Sequence, residues 1–208
     1  MSVLPKLASS LKVRDTAPNI ELAKAIVSKN DKKAISELVE NLSNTDKNIQ
    51  SDCIKVLYEI GERKPELIAA YDKEFLTLLD SKNNRLVWGA MTALDCIASV
   101  NPKGMYAKLT KILDVAEKGS VITMDHGINI LIKLAALKPY SENCLTLLLE
   151  LFKTSLPNQL PKYAEDAFPV ITDKYKTAFS KTLTSRLKDV EKDTKKKRIE
   201  KVIKKLAR

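Results

Sequence analysis

The chain has 208 residues, of which 44% are hydrophobic and 30% charged, a balance that indicates a folded domain and is too apolar for intrinsic disorder. The longest stretch without Asp, Glu, Lys or Arg is the nine residues Leu86–Leu94, whereas a membrane-spanning helix needs roughly 20. Three widely spaced cysteines and a single histidine favour buried, reduced thiols and argue against a disulfide framework or a structural metal site. The N-terminus lacks the apolar core of a signal peptide, so we expect a cytoplasmic protein.

The net charge of +10 is concentrated at one end of the chain. Residues 174–208 hold 14 basic and 4 acidic residues, whereas residues 1–173 hold 22 of each. A partner inferred from the overall charge must therefore contact the last 35 residues.

The first 18 residues differ in pattern from the remainder. Residues 1–18 show no clear hydrophobic period, and we expect this N-terminal segment to be loose. Pro18 then starts a predicted helix over Asn19–Val27. Residues 19–208 are expected to form a single domain.

An internal repeat of 37 residues follows. Pro65, Pro102 and Pro139 are spaced at this interval. Apolar residues keep the same interval and form helical stripes at positions i, i+3, i+4 and i+7. The stripes are Cys53, Val56, Leu57 and Ile60; Ala90, Ala93, Leu94 and Ile97; Gly127, Ile130, Leu131 and Leu134; Ala164, Ala167, Phe168 and Ile171; and, shifted by two residues, Ile199, Val202, Ile203 and Leu206. A second apolar column is Leu38, Phe75, Ile112 and Leu149.

Each repeat is predicted to consist of two helices joined by a polar turn. The first helix opens at the proline, where a missing N–H is harmless, and the second carries the stripe. A small residue at the first stripe position, such as Gly127, is predicted to let the two helices approach closely. Pro169 lies within the second helix of the fourth repeat and is expected to kink it. The last pair of helices is predicted over Ala178–Lys192 and Thr194–Ala207.

This organisation resembles the HEAT and armadillo-like helical repeats over roughly residues 19–208. Besides the period and the stripe, Asp46-x-x-Ile49 is similar to the Asp-x-x-Val-Arg turn of HEAT repeats. The arginine position of that turn holds Gln50, Val87, Met124 and Pro161, so the Asp–Arg ladder of the family is absent. The resemblance implies an all-α, right-handed α-solenoid of about five two-helix HEAT-like repeats, approximately 31–62, 63–100, 101–138, 139–175 and 176–208.

The resemblance also implies that the second helices line a concave surface that binds other molecules. Trp88, the only tryptophan, falls on the helix face opposite the stripe, where an exposed aromatic is typical of a partner anchor. Packing of Trp88 between repeats is the alternative, and a purely structural role is favoured for His126. The candidate binding residues on this surface are Lys55, Tyr58, Trp88, Thr92, Asp95, Asp125, His126 and Asn129. We expect a non-enzymatic scaffold or adaptor that binds a protein or peptide.

The basic C-terminal repeat supplies a second hypothesis. Its cations are Lys195, Lys196, Lys197, Arg198, Lys201, Lys204, Lys205 and Arg208. They form either a solvated capping surface or a sequence-independent contact with nucleic-acid phosphates. A membrane contact is less favoured, because the apolar stripe of this helix has no Trp or Phe.

Enzymatic motifs are absent from the sequence. The five glycines form no phosphate-binding loop, and neither Gly-x-Ser-x-Gly nor His-Glu-x-x-His occurs. We therefore expect no cofactor and no metal. A HEAT-like DNA glycosylase that uses Trp88 with Asp95 or Asp125 remains a remote alternative, because the pairing is only faintly similar to that family.

Overall fold

The computed structural model describes residues 2–207, and within them the secondary structure is entirely helical. The α-helices are α1 Ala17–Lys29, α2 Lys32–Glu40, α3 Lys47–Arg63, α4 Asp72–Leu78, α5 Asn84–Ile97, α6 Pro102–Ala107, α7 Leu109–Lys118, α8 Val121–Ala135, α9 Lys138–Thr154, α10 Leu160–Ala167, α11 Asp173–Arg186 and α12 Asp193–Leu206. Short 3-10 helices are Leu4–Lys6, Asn41–Ser43, Pro65–Leu67, Ala69–Tyr71, Phe168–Val170 and Leu187–Asp189. None of the helices between residues 2 and 207 is both long and apolar enough to cross a membrane.

The chain divides into two compact units, one up to Gly127 and one from Ile128 onward. In the first unit α3 packs against both α1 and α5. In the second unit α9 packs on α11, and α12 packs on α10 and α11. The rings of Phe152 and Phe179 meet edge to face there, with their centroids 5.3 Å apart.

The apolar stripes form the core, as their period predicts. The complete stripes on α3 and α5 have no solvent exposure. The later stripes are buried apart from Phe168 and Ile203, which are half-buried. The second column is buried at Leu38, Phe75 and Ile112, but in the fourth repeat Leu148 replaces the half-buried Leu149.

Polar residues start the stripe-bearing helices at the repeat interval. The Asp46 carboxylate accepts a hydrogen bond from the Asn48 amide at 2.8 Å at the start of α3. The Asn83 side chain accepts one from the Arg85 amide at 3.1 Å at the start of α5. Asp46 and Asn83 are 37 residues apart, so the repeat fixes the helix starts as well as the core.

The first helix of the second and third repeats is interrupted, whereas the sequence predicts a continuous one. The segment that begins at Pro65 consists of two 3-10 turns before α4, and α6 and α7 are separated at Lys108. Ile68 and Met105, again 37 residues apart, are both fully buried beside these interruptions. In each of these two repeats, the interrupted helix therefore buries one further apolar side chain in the core.

The N-terminal segment is packed, which corrects the expectation that it is loose. Val3, Leu7 and Ala8 are buried. The Val3 amide donates to Glu37 Oε2 at 2.9 Å, and Ser2 Oγ donates to the other oxygen of that carboxylate. These contacts involve side chains that are distant in sequence. The segment has no repeat pattern from which they could be predicted.

Two helix boundaries also differ from the prediction. Pro169 ends α10 instead of kinking it, because α10 stops at Ala167 and the chain continues as a 3-10 turn. α11 begins at Asp173, five residues before the predicted Ala178.

Candidate functional site

The first unit contains a groove of about 910 Å³. Its walls come from α3, from α5, from the start of α8 and from the N-terminal segment. The lining residues are Ala8, Ser9, Lys12, Val13, Arg14, Thr16, Asn48, Ser51, Asp52, Ile54, Lys55, Tyr58, Arg85, Trp88, Gly89, Thr92 and Ile122.

The groove brings together four of the candidate binding residues. Lys55 and Tyr58 lie on α3, and Trp88 and Thr92 lie one repeat later on α5. All four are half-buried, as expected of side chains that form a wall and still meet solvent. Trp88 is therefore neither a core residue nor fully exposed.

The floor of the groove depends on a close helix crossing. A Cβ atom on Gly89 of α5 would lie 2.5 Å from Ile54 Cγ1 and 2.9 Å from Ile54 Cγ2 of α3. A corresponding atom on Gly127 would lie 2.7 Å from the Ala116 Cβ. At Gly127, the prediction that a small residue allows close approach of the two helices of a repeat is thus confirmed.

One side of the groove is fixed by a charge cluster on α3. Lys55 Nζ and Arg63 Nη1 each lie 2.6 Å from a carboxylate oxygen of the buried Glu59. Lys55 Nζ also lies 4.6 Å from the centroid of the Tyr58 ring. Burial by itself would raise the pKa of Glu59, but the hydrogen bonds from Lys55 and Arg63 outweigh it and hold this pKa below its ordinary value.

The N-terminal segment forms a groove wall that the sequence analysis missed. The buried Asn19 accepts a hydrogen bond from the Ala8 amide at 2.9 Å and donates to Asp52 Oδ1 at 2.7 Å. Asp52 Oδ2 accepts from the Ser9 amide at 2.7 Å. Two side chains of α1 and α3 thus fasten the segment beside the groove.

The rim of the groove is basic and partly apolar. Lys12, Arg14 and Arg85 are exposed, and within residues 2–207 none of them forms an ion pair. Val13 is 45% exposed and Ile122 44% exposed. Exposed apolar side chains of this size beside a cleft are typical of a binding surface.

A hydrogen-bonded chain links Thr92, His126 and Asp95. His126 Nδ1 lies 2.8 Å from Asp95 Oδ2, and His126 Nε2 lies 2.9 Å from the Thr92 hydroxyl. The Thr92 hydroxyl also donates to the Trp88 carbonyl oxygen at 2.9 Å, so the chain reaches the backbone at Trp88. The histidine therefore fixes the Thr92 wall of the groove, and Asp95 is buried behind it.

Two further candidate residues lie apart from this groove. Asp125 and Asn129 are half-buried and are not among the lining residues. Asn129 belongs to the unit that begins at Ile128. Among the residues that the structure describes, no group of histidine, cysteine, aspartate and glutamate side chains is arranged to hold a metal ion.

Several cations of the basic C-terminal repeat are bound within their own unit. Arg198 donates from Nε and Nη2 to Glu165 at 2.9 and 2.5 Å, and Lys195 Nζ contacts the Asn158 backbone and side-chain oxygens at 3.0 Å. Lys205 Nζ lies 5.2 Å from the centroid of the Phe168 ring. The cations exposed on α12 are Lys197, Arg198, Lys201, Lys204 and Lys205, and Lys196 is half-buried. Arg208 lies outside the described residues.

Comparison with known proteins identifies the fold. No family model matches the chain, and no curated protein matches it in sequence. A computationally designed armadillo repeat protein for modular peptide recognition matches 97% of this chain and 98% of its own length, with a TM-score of 0.66 and 14% identity. An archaeal HEAT-like repeats protein from Thermococcus onnurineus NA1 matches 92% of this chain and 93% of its own, with a TM-score of 0.52 and 13% identity. The chain has the armadillo/HEAT-like solenoid fold.

A third solved structure is a designed armadillo repeat protein in complex with the peptide (KR)4. It covers 97% of this chain and 100% of its own length, with a TM-score of 0.65 and 15% identity. At these identities the likeness establishes the fold alone.

Proposed function

We propose that this protein is a non-enzymatic interaction module that binds a protein or peptide segment in the groove of its first unit. The observation that carries the proposal is the position of Trp88. It lies half-buried in a groove wall with Lys55, Tyr58 and Thr92, where it can cover an apolar side chain of a ligand. Tryptophan is among the residues that contribute most to binding at protein interfaces.

The fold supports this proposal. Solenoid repeats present extended surfaces made of equivalent helices, and this groove is built from equivalent positions on α3 and α5. One structural neighbour was designed for peptide recognition and another holds a peptide.

The two alternative functions receive less support. A glycosylase would need an accessible carboxylate, but Asp95 is buried and hydrogen-bonded to His126, and Asp125 does not line the groove. A nucleic-acid contact would use the cations of α12, and two of them, Arg198 and Lys195, are bonded to residues of their own unit, which leaves fewer for phosphates.

The experiment uses the full chain and a phage library of random peptides of about 12 residues, which span roughly 40 Å when extended. Trp88→Ala should lower recovery of bound phage by more than about tenfold, the change that a loss of about 1.4 kcal/mol gives. Leu156→Ala, which removes a 58% exposed apolar side chain in the second unit, is the matched control and should leave recovery unchanged.

Folding is checked separately by circular dichroism and urea unfolding. If Trp88→Ala unfolds the protein, Trp88→Phe keeps an aromatic ring in the groove and repeats the comparison. Because Trp88 is the only tryptophan, its fluorescence should also shift when a selected synthetic peptide binds. The proposal is contradicted if a peptide binds without shifting the Trp88 fluorescence and if Trp88→Ala recovers as many phage as the unmodified chain. The binding site would then lie elsewhere.

A further inference from the structure

We infer that the groove is selective for an acidic peptide segment that carries an apolar side chain between its carboxylates. This inference rests on the proposed function and specifies the chemical class of the ligand. It follows from the charges that line the groove, from the exposed apolar side chains among them, and from the aromatic surface that remains accessible.

The charge of the lining is strongly positive. Four cations face the groove against one carboxylate: Lys12, Arg14, Lys55 and Arg85 against Asp52. The single carboxylate is already used, because its two oxygens accept hydrogen bonds from Asn19 and from the Ser9 amide. It therefore offers little to a basic ligand.

The cations differ in how far they are neutralised. Lys55 is paired with Glu59, which lies outside the lining. Lys12, Arg14 and Arg85 have no carboxylate within ion-pair distance in residues 2–207. Lys12 and Arg14 lie on the N-terminal wall and Arg85 lies on the first turn of α5, so unneutralised charge is present on two walls. Carboxylates on both sides of a bound segment would complement it.

Apolar surface lies among these charges. Val13 follows Lys12 directly, Trp88 is three residues beyond Arg85, and Ile122 lines the same groove. Val13 and Ile122 are among the six most exposed large apolar side chains that the structure describes. An aliphatic or aromatic ligand residue would bury this surface and remove it from water, which favours binding.

Single-stranded nucleic acid is also anionic, but the aromatic surface fits it poorly. Such ligands stack successive bases on several aromatic rings. Here the groove lining has two aromatic side chains, Trp88 and Tyr58, and Lys55 Nζ already lies over the Tyr58 ring. The mixture of aliphatic side chains and cations suits a peptide better.

The test compares charge classes in the peptide library described above. Among the phage recovered by the full chain, net-negative peptides should exceed net-positive ones by about tenfold or more. The variant Arg14→Glu/Arg85→Glu should reverse the preference. Lys181→Glu/Lys188→Glu changes the net charge equally, at exposed positions of the second unit, and should leave the preference as it is.

Direct binding then uses one selected synthetic peptide, its copy with every Asp and Glu changed to Lys, the peptide (KR)4, and a dT oligonucleotide of about 12 nucleotides. Trp88 fluorescence is the readout, at about 50 and about 200 mM salt. The acidic peptide should bind tightest and lose affinity with salt, and binding should be weakened by Arg14→Glu/Arg85→Glu.

The outcomes separate the inference from the proposed function. Trp88-dependent binding of neutral or basic peptides would overturn the acidic selectivity and leave the peptide-binding function in place. Tighter binding of the oligonucleotide would assign the groove to nucleic acid and overturn both. If no peptide binds in a way that depends on Trp88, the acidic selectivity and the peptide-binding function are both overturned.

Discussion

The protein has two basic surfaces, and they are built differently. On the second unit, Arg186 donates to the carbonyls of Phe152, Lys153 and Ser155 at the end of α9, and Arg198 is paired with Glu165. On the first unit, the rim cations Arg14 and Arg85 form no ion pair with any described residue. The first set of cations holds helices together, whereas the second set faces a groove.

This difference shows that the net charge of a segment does not report how its cations are used. The last 35 residues carry the whole excess of +10, and residues 1–173 are neutral overall. Yet the neutral part of the sequence contains the groove whose lining has four cations and one carboxylate. What matters for binding is how many charges remain uncompensated at one place.

The largest effect on stability is expected at Arg186. Arg186→Gln removes charged hydrogen bonds to three backbone carbonyls, and the loss should be about 2–4 kcal/mol of unfolding free energy. Urea unfolding measures it. Cys144 on α9 is fully buried, and burial raises the pKa of its thiol to about 11, so its alkylation requires local opening and should accelerate in this variant.

Cys53 on α3 is the internal control for that experiment. Burial, together with the nearby carboxylates of Asp52 and Glu37, raises the pKa of Cys53 to about 12. Its alkylation should change less than that of Cys144. An unfolding midpoint of Arg186→Gln equal to that of the unmodified chain would show that these cations do not hold helices together.

The groove floor should be nearly as sensitive. Gly89→Ala places a methyl group against Ile54 and should cost about 1–3 kcal/mol, less about 1 kcal/mol of gained helix propensity. Calorimetry or urea unfolding measures the change. Ile54→Ala removes both Cγ atoms that the new methyl group would meet. The double variant Gly89→Ala/Ile54→Ala should therefore be less destabilised than the sum of the two single variants predicts. Strict additivity would contradict the steric explanation.

A smaller effect is expected from acid. Hydrogen bonds from Arg198 hold the pKa of Glu165 below its ordinary value, and Glu59 is depressed by Lys55 and Arg63. Both carboxylates therefore contribute stability above about pH 4.3, the unfolded value, and lose it as the pH falls through their folded pKa values. Glu59→Gln should flatten the decline in unfolding free energy between about pH 5 and about pH 3. If the unfolding free energy of Glu59→Gln declines as steeply as that of the unmodified chain, Glu59 does not contribute to the loss of stability in acid.

The smallest effect on stability is expected at the groove rim. Arg85→Gln should change the unfolding free energy by less than about 0.5 kcal/mol, because no ion pair is lost. Its effect should appear in peptide binding instead. A clear destabilisation would show that the rim cations also serve the fold.

Nucleic-acid binding tests the basic surface of the second unit. Lys196, Lys197 and Lys204 are not paired within the described residues, so changing these three to Gln leaves the Arg198–Glu165 contact intact. We expect duplex DNA to bind no tighter than about 10⁻⁶ M at about 200 mM salt, as measured by fluorescence anisotropy. Tighter binding that the triple variant removes would assign the basic repeat a functional role.

Much of the fold could be predicted because the repeat places the same chemistry at the same interval. The stripe from Cys53 to Ile60 recurs as a buried stripe from Ala90 to Ile97. Asp46 and Asn83, which start α3 and α5, share the same interval, so the positions of these helix caps are also periodic in the sequence. The interrupted first helices were not predicted, because the hydrophobic period does not report where a helix is broken.

The candidate site was only partly accessible to the same reasoning. Lys55 and Thr92 occupy equivalent positions of two repeats, so their common face follows from helical geometry. The wall from Ala8 to Thr16 has no counterpart in any repeat. Its position depends on hydrogen bonds between Asn19, Asp52 and two backbone amides, and such long-range contacts leave no periodic pattern.

Under the proposed function, the hydrogen bonds that hold this wall would couple peptide binding to the order of the N-terminal segment. A peptide that touches both Arg85 on α5 and Arg14 on the wall stabilises the docked segment, and by reciprocity the docked segment raises the affinity for the peptide. Asn19→Ala removes the hydrogen bonds to Ala8 and Asp52 and would therefore accelerate peptide dissociation, even though Asn19 itself does not line the groove. In kinetic terms, the docked N-terminal segment would lengthen the residence time of a bound peptide.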